Sequence, residues 1–397
     1  MADAPWLTII GLGEDGPDGL CVASRAALDA AEIVMGPPRH LSLLPDVGAR
    51  RIDWPVPFAD GVETLLSCRG TPTVALASGD PFWFGAGTTL AARLERSEWR
   101  ALPGRSTFSL AAARLGWALE TTACFGLHAA PLTRLRPALA PGRRLIVLLR
   151  GGDSVHALAE YLSAEGFGAS TLSVLQALGG PREAMTEARA DALTGDFSHP
   201  VCVAIAVAGD GAVLPLASGR PDDWFDNDGQ ITKRPVRAMT LSALAPRAFE
   251  HLWDIGGGSG SIGIEWLLGD PTLRATCVER DPARAARIAE NAARLGQDRL
   301  RVVTGSAPQA LDGLDPPDAV FVGGGLSQAL LDRLTALPAG TRIVANAVTL
   351  ESEALIAAAQ ARLGGAVLRL ELSQAAPIGP RRGWKAAYPI VQWSVTL

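Results

Sequence analysis

Short apolar runs that break at glycine turns, each followed by apolar residues at helical spacing, recur along the chain. In the first half, Trp6-Leu7-Thr8-Ile9-Ile10 runs into the glycines from Gly11 to Gly16, and Pro72 to Ala77 breaks at Ser78-Gly79-Asp80-Pro81. Unbroken runs of this kind predict buried strands. Others fall at Ile33 to Met35, Arg144 to Leu149 and Pro200 to Ala208. Helical spacing covers Leu20 to Ala31, Gly87 to Leu94, Ser106 to Leu115 and Ser154 to Glu165, with Ser106 and Thr107 as N-cap candidates. Strands alternating with helices predict an α/β architecture.

Periodicity fails between Gly209 and Arg234, where glycines, prolines and five aspartates collect. Such a stretch reads as a linker or entry segment. The pattern then resumes: helices at 236–249, 282–295, 328–336 and 351–363 alternate with strands at 252–255, 275–278, 300–304, 318–322, 341–346 and 366–372. The tail from Trp384 to Val395 reads as a last strand. The two halves share no repeat. The chain therefore divides into a first domain over 1–212, a linker over 213–235 and a second domain over 236–397.

The stretch from Leu252 to Glu279 is the most informative. A strand carrying Asp254 opens into Gly256-Gly257-Gly258-Ser259-Gly260; a helix-spaced segment follows, and a second short strand ends on Glu279. Glycines let the backbone approach a ligand, and a helix N-terminus adds positive potential. An acid closing the second strand can accept hydrogen bonds from both hydroxyls of a ribose. The ligand predicted is of adenosine type. Asp254, just before the glycines, would repel a pyrophosphate but suits the ammonium of an amino-acid tail, which counts against a dinucleotide.

Composition narrows the class. At 397 residues, 48% hydrophobic and 19% charged, the chain is long enough for two or three cores of a soluble globular protein. A net charge of -5 gives no basic footprint for nucleic acid. No apolar run approaches the roughly 20 residues of a membrane helix, and the start, Met1-Ala2-Asp3-Ala4-Pro5, has no signal-peptide pattern. The five cysteines are scattered and never form a CxxC pair, so they read as core residues of a cytoplasmic protein with no metal site.

The pattern Asp-x-Gly-x-Gly-Ser-Gly from Asp254, with Glu279 beyond it, resembles the Rossmann-like S-adenosylmethionine (SAM) methyltransferases. In the first half, Gly11-Leu12-Gly13-Glu14-Asp15-Gly16-Pro17, Ser78-Gly79-Asp80-Pro81 and Pro103-Gly104-Arg105-Ser106-Thr107 occur in the order found in the tetrapyrrole methylases. That family also uses SAM, on an unrelated fold of two α/β lobes. Pro37-Pro38-Arg39-His40-Leu41 and Phe82-Trp83-Phe84-Gly85 resemble its cobalamin branch. The order of the halves resembles the fused, decarboxylating methyltransferases of cobalamin biosynthesis.

That resemblance implies methylation of precorrin-6B at C5 by the first domain, and decarboxylation with methylation at C15 by the second. It implies one SAM site per domain. In the first, Gly79, Asp80, Trp83, Ser106 and Thr107 would contact SAM; in the second, Thr232, Asp254, Gly256, Gly257, Gly258, Ser259, Gly260, Glu279 and Ala307. A polycarboxylate substrate asks for cations, for which Arg381, Arg382 and Lys385 are candidates, with Lys233, Arg234 and Arg237 beside them. His40 and His128 lie near motifs but read as structural or surface residues, and no proton donor stands out. Relatives of both halves assemble, so a homo-oligomer is expected. A methyltransferase acting on RNA is the competing reading; it requires a basic face, which the charge opposes.

Overall fold

The computed structural model describes residues 5–46 and 48–397; Met1 to Ala4, read above for signal features, lie outside the described residues. Contacts divide the chain into two compact units, Met1–Ala130 with Ala138–Ala212, and Pro131–Pro137 with Val213–Leu397.

The first unit is built on two five-stranded sheets. One is parallel throughout, in the order Arg50–Asp53, Ile33–Gly36, Thr73–Ser78, Leu7–Leu12, Trp99–Leu102. Leu7–Leu12 is buried at every position, as its unbroken apolar run requires. The other sheet is mixed, in the order Thr122–Gly126, Arg144–Leu148, Val201–Ala206, Thr171–Gln176, Ala184–Arg189. All four edge strands escape the periodicity reading. Edges such as Arg50–Asp53 and Ala184–Arg189 stand mostly in water and carry no continuous apolar run. The helix Thr107–Leu115 starts where its capping residues predict: Ser106 Oγ accepts from the Ser109 amide at 3.0 Å. It stops at Gly116, whose φ of 64° suits a residue without a side chain.

The second unit centres on a seven-stranded sheet in the order Arg301–Thr304, Arg274–Glu279, His251–Ile255, Ala319–Val322, Arg342–Ala347, Ile390–Thr396, Ala366–Leu370. The first five run parallel, and Ile390–Thr396 is antiparallel to both its neighbours. Alternate residues of His251–Ile255 feed separate cores: Leu252 packs with Ile262, Trp266 and Ile288, whereas Trp253 and Ile255 pack with Leu330, Ile343 and Trp393. Chain order reverses between His251–Ile255 and Ala319–Val322, which makes their carboxyl ends the place for a ligand.

Three boundaries differ from the periodicity reading. The helix expected over 236–249 is Arg234–Leu244, because Pro246 disfavours helical backbone at Ala245, which turns to a φ of 46°. The tail is not one strand. Pro389 has no amide to give a ladder, so Arg381–Ala386 pairs with Ser373–Ile378 in a separate hairpin and the sheet resumes at Ile390. Residues 213–235, expected as a linker, pack onto the second unit: Leu214 and Phe225 enter its core, and Asp228 pairs with Arg284 at 2.8 Å. Ion pairs and turns order this segment, which is why hydrophobic spacing does not reveal it.

Candidate functional site

The three motifs of the first half meet at the carboxyl ends of adjacent strands. The Gly79 amide donates to the Leu12 carbonyl at 3.0 Å, and the Gly104 amide donates to the Gly79 carbonyl at 2.9 Å. A Cβ at Gly11 would lie 1.7 Å from the Gly79 carbonyl oxygen, so backbone packs on backbone and any side chain would drive the motifs apart. A cavity of about 640 Å³ opens against this junction, and Gly79, Asp80, Trp83, Ser106 and Thr107 all line it. Asp80 Oδ1 accepts from the Phe82 amide at 2.9 Å, holding the turn that displays Trp83. The Trp83 ring lies 4.7 Å from that of Phe108.

Sequence reasoning passed over the cavity's polar corner. His40, read as structural or surface, is buried on the wall with Nε2 3.1 Å from Ser78 Oγ and 2.8 Å from an Arg39 nitrogen. Burial, then the charge of Arg39, pushes its imidazole down to about 3. Arg39 also pairs with Glu14. Its only sequence signal was the Pro37-to-Leu41 resemblance; the partners are remote in the chain.

In the second unit the turn after Ile255 sits at the reversal point of the sheet. Gly256, Gly258 and Gly260 have φ of 75°, 59° and 76°. A Cβ at Gly256 would come 2.9 Å from the Gly324 nitrogen, and one at Gly258 2.8 Å from the Gln230 carbonyl oxygen. The turn is therefore clamped between the loop after Ala319–Val322 and the segment before Thr232. Ser259 Oγ is buried with no hydrogen-bond partner among the described residues. The helix that follows is short, Ser261–Leu267.

Glu279 is 4% exposed; its Oε2 accepts from the Gly258 amide at 2.9 Å and its Oε1 from the Asp281 amide at 3.0 Å. Each oxygen keeps a second lone pair, which suits two ribose hydroxyls. Asp254 lies beneath the turn, 1% exposed, accepting from the Gly263 amide at 2.9 Å beside the Cys277 thiol. Burial pushes its carboxyl up to about 7. Ala307 follows Gly305, whose amide donates to the Glu279 carbonyl at 2.9 Å. Orphaned and acidic acceptors around a turn with no room for Cβ atoms fit an adenosine carrying a cationic amino-acid tail. Thr232, Gly256 to Gly260, Glu279 and Ala307 would hold it, with Asp254 acting from below.

The cation candidates separate. Arg381, Arg382 and Lys385 stand exposed on the hairpin, with no ion pair among the described residues. Arg237, expected in a substrate cleft, is fully buried: its Nε donates to Glu265 at 2.7 Å, an Nη to Asp222 at 3.0 Å, and its guanidinium lies over Phe225. The glycine turn, strand-end acid and sheet order of the second unit define the class of Rossmann-like methyltransferases. The family model "Precorrin methyltransferase domain" matches residues 223–397, and "Tetrapyrrole (Corrin/Porphyrin) Methylases" matches 6–194.

A Sinorhizobium protein named precorrin-6Y C(5,15)-methyltransferase [decarboxylating] is 49% identical over 399 aligned residues, 99% of this chain and 97% of that protein. The chain belongs to the family of decarboxylating precorrin-6Y C(5,15)-methyltransferases. A Mycobacterium tuberculosis protein of the same name is 41% identical over 98% of this chain and 99% of its own length. A Salmonella typhimurium protein named cobalt-precorrin-6B C(15)-methyltransferase (decarboxylating) is 34% identical over 166 residues, 40% of this chain and 85% of its own length.

Proposed function

We propose that this chain methylates precorrin-6B (precorrin-6Y in the names of its full-length relatives) at C5 and C15 and releases the carboxylate of the ring C acetate as carbon dioxide. The reading is carried by full-length similarity to relatives named for both methylations. The Salmonella relative supports the division of labour: C15 methylation with decarboxylation is named for a protein whose match covers 40% of this chain, about one unit. C5 methylation then falls to the first unit and the other two steps to the second.

SAM, bound once in each unit, supplies a methyl group on a sulfonium leaving group. The meso carbon of the reduced macrocycle contributes the electron pair for the new bond, and the proton it carried leaves. The protein's part is placement in a dry, shaped site. In the second unit the clamped turn and Glu279 would fix the nucleoside; in the first, the Gly11–Gly79–Gly104 junction would present backbone to the donor while the cavity holds the macrocycle. We place this work in the cytoplasm, in a homo-oligomer.

Mass spectrometry of the product tests the division. Wild-type protein should add two methyl groups and remove one carbon dioxide. Glu279→Ala should add only one methyl group, at C5, because loss of two charge-assisted ribose contacts weakens donor binding in the second unit by at least about 100-fold. Asp80→Ala should add one methyl group and still decarboxylate. Loss of both methylations in either folded variant would refute the assignment, as would equilibrium dialysis finding one donor per wild-type chain.

A further inference from the structure

The polar corner of the first unit's cavity is organised around one guanidinium. Arg39, on the helix Pro38–Leu43, pairs with Glu14 through one terminal nitrogen; the other donates to His40 Nε2 at 2.8 Å and to Ser78 Oγ at 3.2 Å. A guanidinium has donors and no acceptor, so His40 Nε2 must be accepting and the ring hydrogen sits on Nδ1. A neutral imidazole is what this contact needs, and burial beside Arg39 keeps it neutral. That same surrounding disqualifies His40 as the base for a substrate proton, since taking one would set a second cation against Arg39. Its work is to aim its neighbour.

The charges of the corner do not cancel. Glu14, 8% exposed, is shared between Arg39 and Arg182, the latter at 3.4 Å. Arg105 pairs with Asp15. Arg150, on the same wall, donates to the His128 carbonyl at 3.1 Å and has no carboxylate partner among the described residues. Asp80 is the remaining acid on the wall, turned to the Phe82 amide. Four guanidiniums thus meet three carboxylates; Arg182 and Asp15 stand behind the cavity lining, and Glu14, shared by two guanidiniums, leaves Arg39 only partly compensated where it borders the cavity. A half-buried, preoriented guanidinium whose charge is only partly matched selects a carboxylate.

We propose that Arg39 is the carboxylate anchor of this cavity, with Glu14, His40 and Ser78 as the positioning residues that aim it. The proposal rests on the reading of the first unit as the C5 methyltransferase. Both the tetrapyrrole and the methionine end of SAM carry a carboxylate, and two measurements separate them.

The test uses full-length protein in the Glu279→Ala background, which confines donor binding to the first unit. Arg39→Met, His40→Gln and His40→Phe are compared by calorimetry with S-adenosylhomocysteine and by steady-state kinetics of the single methylation of precorrin-6B. If the anchor holds the tetrapyrrole, Arg39→Met raises KM for precorrin-6B roughly 10- to 100-fold with kcat and S-adenosylhomocysteine affinity unchanged. If it holds the donor, the affinity for S-adenosylhomocysteine falls by that factor and KM for precorrin-6B stays. His40→Gln, which retains an acceptor, should follow the background, whereas His40→Phe should move whichever constant Arg39→Met moves. The proposal is overturned if folded Arg39→Met alters neither constant, or if His40→Phe lowers kcat alone. If the Glu279→Ala background itself methylates nothing, the assignment of the first unit fails; direct binding of precorrin-6B and of S-adenosylhomocysteine to Arg39→Met then decides the anchor, and two unchanged affinities overturn it.

Discussion

Replacing Asp254 with asparagine should make the second unit more stable and a worse binder. The carboxyl is 1% exposed beneath the glycine turn, and burial lifts it from an ordinary 3.8 to about 7. Between those values the unfolded chain has released a proton that the folded chain keeps. Stability therefore falls as pH rises through this window and is lowest once the buried acid ionises above about pH 7. A shift of this size corresponds to roughly 4 kcal/mol. Asparagine approximates the protonated acid: its oxygen can still accept from the Gly263 amide, now 2.9 Å from Oδ2. Thermal unfolding of ligand-free protein should show variant and wild type alike near pH 4, with the variant ahead by as much as about 4 kcal/mol near pH 8. Calorimetry should show the opposite order for S-adenosylhomocysteine, because the fold maintains a costly buried anion under the place where a ligand ammonium would sit. Such a conflict between stability and binding is expected of a functional acid. A variant less stable at every pH, with unchanged affinity, would show that Asp254 serves the fold alone and sink the reasoning.

Two further outcomes follow from the packing of the second unit. Glu265, fully buried, accepts from the Gly219 and Arg220 amides at 2.7 and 2.9 Å and from Arg237 Nε at 2.7 Å. Glu265→Gln should cost roughly 3–5 kcal/mol in urea unfolding by leaving buried guanidiniums uncompensated; a loss near zero would show that the network is dispensable. Gly258→Ala places a Cβ 2.8 Å from the Gln230 carbonyl oxygen on backbone with φ of 59°, and should reduce S-adenosylhomocysteine from two bound per chain to one in equilibrium dialysis.

Legibility in the sequence followed how local the controlling interactions are. The central strands of both units announce themselves as apolar runs because both faces are covered. The cap at Ser106 and the stop after Leu115 use contacts within one turn of helix, and both match the helical spacing over Ser106 to Leu115. The four edge strands of the first unit lack a continuous apolar run and went unread, whereas the second unit's edges, Arg301–Thr304 and Ala366–Leu370, match the strands expected at 300–304 and 366–372. Arg237 was misread for a related reason: a lone arginine in a polar stretch looks like a solvated charge until Glu265 and Asp222 are folded against it.

The sequence by itself determined the α/β class and which turns could bring bare backbone to a ligand. It did so because hydrophobic period, glycine and strand-end acids act over a few neighbouring residues. Tertiary structure decided what those pieces meet. It joined Gly11, Gly79 and Gly104 into one junction, pressed Gln230 and Gly324 against the second glycine turn, and converged Glu14, His40 and Ser78 on Arg39. Such encounters depend on the register of strands far apart in the chain, and no local pattern encodes them.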